Sequence, residues 1–168
     1  MRVFLGLGSN IGNRFKNLQF AIEQMLLNNI KIIAKSNIYE TLPMYNTKQD
    51  NFLNQVIEIE TTMLSEKLLG LLKSIESKCG REIDAPRNTP RPLDIDILSY
   101  GDKIVNLDKL QIPHIKIKER DFVLRPWSEL SPNFIIPGEC ESVLELLDNI
   151  TESTILGKYY QDKMEKQI

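Results

Sequence analysis

The stretch RPLDIDIL, residues 91–98, sets two acids one residue apart inside an otherwise apolar run. Alternate side chains of a strand point to opposite faces, so Asp94 and Asp96 share one face and Leu93, Ile95 and Ile97 the other. Pro90 and Pro92 place the start of that strand, because proline fits poorly inside a central strand. Two carboxylates this close repel each other and are costly to bury, so something must compensate them. The strand therefore allows two arrangements. Either it shows both acids to water, or it forms a platform for a cation, for which Mg²⁺ is the natural candidate because it takes one or two carboxylates plus phosphate oxygens.

The rest of the chain supplies elements to pack against this strand. RVFLGLGSN reads as a short buried strand entering a glycine turn. Phe15, Leu18, Ala21, Ile22, Met25 and Leu26 then recur at helical spacing, with Asn10 or Asn13 as the cap. IKIIAKSNIYET reads as one strand, and residues 42–51 as an exposed loop. FLNQVIEIETT alternates, with Leu53, Ile57 and Ile59 on one face and Phe52, Asn54, Val56, Glu58 and Glu60 on the other. Ser65 is expected to cap a helix striped by Leu68, Leu71, Leu72 and Ile75, which stops at Gly80. A further helix is expected at SVLELLDNI, followed by a polar tail from about residue 151. Strands and helices alternate without a repeated βαβ period. The expectation is a single α+β domain over residues 1–168 with a mostly antiparallel sheet.

Composition narrows the chemistry. Net charge is −2, from 21 basic and 23 acidic residues, so the basic excess of a nucleic-acid-wrapping protein is absent. Any anion site must be local. Of the arginines, all but Arg2 and Arg14 fall within residues 81–125, as Arg81, Arg87, Arg91, Arg120 and Arg125. Arginine suits forked recognition of phosphate or carboxylate. Cys79 and Cys140 have no CxxC spacing, and His114 is the only histidine, which excludes a zinc cluster built on several histidines. No signal-peptide pattern opens the chain and no apolar run nears the ~20 residues of a bilayer span, so a cytoplasmic setting without membrane or nucleic-acid partners is expected.

Several motifs carry chemistry. GLGSNIG gives GxGxxxG rather than GxGxxG, and no GK[ST] follows, so a tight strand-to-helix turn describes it better than a nucleotide loop. Arg81, Arg87 and Arg91 precede the two acids, which matches the parts of phosphoryl transfer, where charge on the moving group must be neutralised. Surface ion pairing is the plainer alternative for Arg91. On the residues alone, His114 and Phe122 each fit a structural role better than a ligand contact. Phe52 beside Asn54 makes a clamp for a flat heteroaromatic with amide-like edges.

GLGSNIGNR, YETLP, FLNQV, SIESKCGR, TPRPLDIDIL, IPHIKIKERDFVLRP and ELSPNF, in this order, resemble the 6-hydroxymethyl-7,8-dihydropterin pyrophosphokinase family of folate biosynthesis. They run from the start of the chain to about residue 137. The resemblance implies a ferredoxin-like three-layer α/β/α fold, two Mg²⁺ ions, and transfer of pyrophosphate from ATP to a pterin alcohol with release of AMP. It implies metal binding by Asp94 and Asp96, and catalytic contacts to the phosphates from Arg81 and Arg91. It assigns Lys73, Glu76, Ile97, His114 and Arg120 to ATP, and Thr41, Leu42, Met44, Phe52, Asn54 and Phe122 to the pterin. Small-molecule substrates and a monomer are expected.

The chain departs from the family pattern at four positions. Asn88 stands where a tryptophan can close over the pterin, and Ile83 where an arginine can reach ATP, a charge that Arg87 would replace. Ile115 stands beside the histidine in place of a tyrosine, and Phe52 replaces a tyrosine on the clamp. Two other readings stay open on the residues alone. A nucleotidyltransferase would add Glu58 or Glu60 to the acids, and a ligand-binding module of the same fold would need no metal.

Overall fold

The computed structural model describes residues 1–161 except Ile83, Ala85 and Arg87. A run buried on both faces builds β1 (Arg2–Ser9), and helical spacing builds α1 (Arg14–Leu27). Asn13 caps α1, its side chain accepting from the Lys16 N–H at 3.0 Å. The chain returns through β2 (Lys31–Lys35), β3 (Tyr39–Thr41) and β4 (Phe52–Glu60), then enters α2 (Ser65–Lys78) and β5 (Asp94–Tyr100). A hairpin, β6 (Val105–Leu107) and β7 (Leu110–Ile112), leads to α3 (Asp121–Leu130), α4 (Val143–Asp148) and β8 (Ile155–Lys158).

The main sheet has six strands in the order β5-β1-β4-β3-β8, with β2 also on β4, and every described pairing is antiparallel. Both faces are covered. Leu18, Ala21 and Met25 of α1 and Leu68, Leu72 and Ile75 of α2 close over Leu5, Ile57, Ile59 and Ile95. On the opposite face Val123, Leu124 and Trp127 of α3, with Val143 and Leu146 of α4, cover Phe4, Val56 and Leu98. This is the expected ferredoxin-like three-layer α/β/α sandwich. Val56 and Ile57 therefore feed different cores from neighbouring positions of one strand, which period 2 requires.

Four local expectations are corrected. Ser65 does not cap α2: Leu64 is the cap position, and the Ser65 hydroxyl donates to Glu66 instead. The single strand expected over 30–41 is broken in two. Lys35 pairs with Ile57 and Tyr39 with Asn54, so this segment uses one residue more than β4, a bulge held by Ser36, whose Oγ accepts from the Val56 N–H. The α3 helix had no clear signal because Pro126 lies inside it, and burial of Val123, Leu124 and Trp127 outweighs the lost hydrogen bond. Finally, the polar tail contains β8, which pairs with β3.

Trp127 is fully buried and its ring lies 5.0 Å from Phe4 and 5.6 Å from Phe134. Trp127→Ala is expected to lose about 3–5 kcal/mol in urea unfolding. Trp127→Phe should lose clearly less, because among the described residues the indole N–H finds no partner and its removal strands no acceptor.

Candidate active site

Cross-strand register assembles the site. Gly8 of β1 pairs with Asp94 of β5 on one side and Asn54 of β4 on the other. Gly6 likewise lies between Asp96 and Val56, and Thr41 of β3 stands opposite Phe52. Two acids, two glycines, an amide and a ring thus occupy adjoining positions on the sheet face that α3 covers only in part. The glycines leave the floor low. A Cβ on Gly8 would meet the Asn54 Oδ1 at 3.0 Å and the Phe52 ring at 3.7 Å. Asn54 is buried and donates to the Thr41 hydroxyl at 2.7 Å. In the expected reading these glycines belonged to a turn. Only Gly12, with φ of 70°, does so.

The acids are compensated unequally. Asp94 accepts from Arg81 at 2.5 Å and from Arg91 at 3.0 Å, one guanidinium on each oxygen. Burial pushes its carboxyl up, but Arg91 and Arg81 together hold it below the usual range. Asp96 has Arg120 at 3.3 Å and the His114 Nε2 at 3.8 Å, both on the same oxygen. Burial and the charge of Asp94 raise its carboxyl above the ordinary value, against the pull of His114 and Arg120. Burial lowers His114, with Asp96 opposing.

Behind the acids, Glu76 of α2 is almost wholly buried and accepts from Lys73 at 2.9 Å, Arg81 at 2.6 Å and the Ile95 N–H at 2.7 Å. Burial raises its carboxyl, while Lys73 and the Ile95 N–H oppose the shift. Glu76 thereby ties α2 to β5 between the two acids and steadies the cation that closes on Asp94.

An open cavity lies over this floor. Thr41, Leu42, Met44, Phe52, Asn54 and Phe122 all line it, together with Arg91, Asp94, Asp96 and Arg120. Arg81, Lys73 and His114 stand at its acidic edge through their contacts with Asp94, Glu76 and Asp96. Glu76 and Ile97 are not lining residues. Glu76 is spent on its three donors, and the Ile97 side chain packs into the core beneath α1 and α2. Asn88 lines the cavity, with φ of 58° and its carbonyl accepting from the Asn46 amide, whereas Ile115 is exposed. Ile83 and Arg87 lie outside the described residues. Glu58 pairs with Arg2 and Glu60 with Lys31, so neither joins the acids.

Two residues went unnoticed in the sequence. Asn10 is buried, accepts from the Arg91 N–H at 2.8 Å, and donates to Gln49 and to the Asp50 carbonyl, joining the end of β1 to both flanking loops. The signal was present in GLGSN, read only as a cap. Tyr45 lies in the cavity wall with the Lys116 ammonium 4.5 Å from its ring and Arg120 at 5.9 Å. Nothing in the polar run 42–51 marked it.

Fold and site together define a ferredoxin-like domain whose ligand cavity opens beside a cation-braced acid pair. The family described as 7,8-dihydro-6-hydroxymethylpterin-pyrophosphokinase (HPPK) matches residues 4–132. A 2-amino-4-hydroxy-6-hydroxymethyldihydropteridine pyrophosphokinase of Methylorubrum extorquens is 39% identical over 92% of this chain and 96% of its own length. The folic acid synthesis protein fol1 of Pneumocystis carinii is 39% identical over 91% of this chain, which spans only 20% of that longer protein. A Plasmodium falciparum HPPK-DHPS crystal structure with pteroate superposes with a TM-score of 0.70 at 15% identity, over 88% of this chain and 42% of that one, a likeness of fold. The chain belongs to the HPPK family.

The low floor is directly testable. Gly8→Ala should cost roughly 1–3 kcal/mol, because the new methyl forces Asn54 off Thr41. Gly6→Ala meets only the flexible end of Leu98, at 3.3 Å, and should cost less. Equal urea midpoints for the two variants would overturn the close-approach reading.

Proposed function

We propose that the protein transfers pyrophosphate from ATP to the hydroxymethyl group of 6-hydroxymethyl-7,8-dihydropterin, releasing AMP, as a monomer in the cytoplasm. The observation that carries the reading is the row Asp94–Gly8–Asn54, which sets a phosphate-type edge beside a flat cavity with an amide wall. A dimer in sedimentation at working concentration would sink the monomer assignment. Among the described residues, no helix is long and apolar enough to cross a membrane.

Two Mg²⁺ ions suit the residues present. Asp94 and Asp96 offer carboxylate oxygens on one face, and among the described residues no group of three or more His, Cys, Asp or Glu could hold an ion alone. Magnesium commonly takes its remaining ligands from phosphates and water, and when bound it would neutralise charge on the group in transit. The chain's own residues do the rest. Phe52 and Phe122 offer ring faces to the pterin, and Asn54, Thr41, Leu42 and Met44 define its edge. Specificity comes from the buried amide, since a ring that leaves it unpaired loses more than stacking. Arg81 and Arg91, now closed on Asp94, would turn to phosphate oxygens, with His114, Arg120 and Lys73 holding the nucleotide. Glu76 would act by holding Lys73 and Arg81, and Ile97 through its backbone. The pterin hydroxyl oxygen bonds to the β-phosphorus as the bond to the α–β bridging oxygen breaks, its proton is released to solvent, and AMP departs with the bridging oxygen.

AMP should form from ATP and Mg²⁺ only when the pterin alcohol is present. Free pyrophosphate with AMP attached to an acceptor would point to a nucleotidyltransferase. Asp96→Ala should lower turnover at least about a hundredfold with the fold retained. Normal turnover in that variant would remove Asp96 from the metal site.

The raised carboxyl of Asp96 also sets a pH dependence. Below its folded pKa the group is protonated and competes with the cation, and above it the site is free. Apparent Mg²⁺ affinity, read from binding of a non-hydrolysable ATP analogue, should fall as pH drops towards the carboxylate range. An affinity flat across that range would contradict the assignment.

A further inference from the structure

Asp121 opens α3 between two residues of the site, Arg120, which reaches Asp96, and Phe122, which walls the cavity. Its own side chain points away from both. It is 3% exposed and accepts three hydrogen bonds from the segment before β8: from the Ser153 hydroxyl at 2.8 Å, the Thr154 N–H at 2.6 Å and the Thr154 hydroxyl at 2.5 Å. No cation pairs with it among the described residues, so these bonds carry the cost of its burial. Thr154 passes the restraint on. Its carbonyl accepts from the Leu42 N–H at 2.8 Å, and the next residue, Ile155, pairs with Thr41 in the β3–β8 ladder. Thr41 in turn receives the Asn54 amide.

One carboxylate thus joins the helix turn that carries Phe122 to the Thr41–Leu42 rim, both of which line the cavity. We propose that Asp121 is a positioning residue for the pterin: through Thr154 it fixes the width of the slot between Phe122 and the Thr41–Leu42 rim. The inference rests on the pterin reading above. It gives the chain segment after α4 a place in substrate recognition, although none of the described residues of that segment lines the cavity. Asp121 also sits in the first turn of α3, where a negative charge favours the helix. A purely structural role of that kind would lower stability without selecting between substrates.

The test separates these roles. Thr154→Val removes one hydroxyl donor and keeps the backbone, and Asp121→Ala removes the whole brace. In Thr154→Val the KM for the pterin alcohol should rise severalfold, and in Asp121→Ala about tenfold or more, the scale of lost charge-assisted bonds. The KM for ATP should stay within about twofold in both. Asp121→Asn, which retains one acceptor, should recover part of the loss. Pterin and ATP constants that move together, or that stay put while the melting temperature falls, would overturn the proposal. Amide exchange at Leu42 reads the brace without any reaction. It should quicken in Thr154→Val while β1 amides stay protected, and an unchanged Leu42 would reject the inference. If the unaltered protein makes no AMP, the proposed reaction fails, and Leu42 exchange still decides whether the brace exists.

Discussion

The clasp of Arg81 and Arg91 on Asp94 is the interaction on which the site depends. Two carboxylates on one strand face would repel each other and resist burial. Here one of them is held charged by a guanidinium on each oxygen, and the other takes the raised carboxyl that its neighbour imposes. The arrangement is prepared from behind. Glu76 shares Arg81 with Asp94 and fastens α2 to the Ile95 N–H, so the strand cannot shift without unpairing a buried acid. The cost of removing one member of such a network exceeds that of a surface pair. Helix α2 is thereby part of the site although its apolar stripe serves the core.

The same economy explains the cavity. A sheet sandwiched between helices leaves no room for a ligand unless something is omitted. In this fold the omission is made twice: α3 and α4 cover the sheet around Phe4, Val56 and Leu98, while Gly6 and Gly8 leave the floor bare beside the acids. Asn10 then draws Arg91 and the 42–51 loop towards the same edge. Acid edge and flat slot are neighbours because three antiparallel strands place them one register step apart.

Much of this was legible in the sequence, for physical reasons. The period-2 alternation of β4 and β5 separated the two cores, with Leu53, Ile57, Ile59, Ile95 and Ile97 on one face and Val56 and Leu98 on the other, because burial on both sides leaves little freedom of register. The apolar stripes of α1 and α2 were equally plain. The misses share a cause. Helix α3 hides behind Pro126, β8 is four residues long with a glycine in it, and the bulge at Ser36 depends on a hydroxyl finding a distant Val56 amide. Each is decided by tertiary contacts rather than by local preference. The placement of Glu76 has the same origin, whereas that of Ile97 follows from the alternation itself, which sets it opposite Asp94 and Asp96. A residue type and a position near the site do not say which way a side chain turns, and only packing against β5 commits Glu76 to the Ile95 N–H.

The pairing of β8 with β3 bears on how the protein comes into being. The rim at Thr41 and Leu42 is made before α2, β5, α3 and α4, and the strand that holds it comes after all of them. Until then β3 is an open edge, and the half-built domain offers an unpaired strand beside an unfinished slot. The rim is therefore held only once β8 has been made. The acid platform on β5 can be assembled well before the ribosome has delivered the strand that pairs with β3.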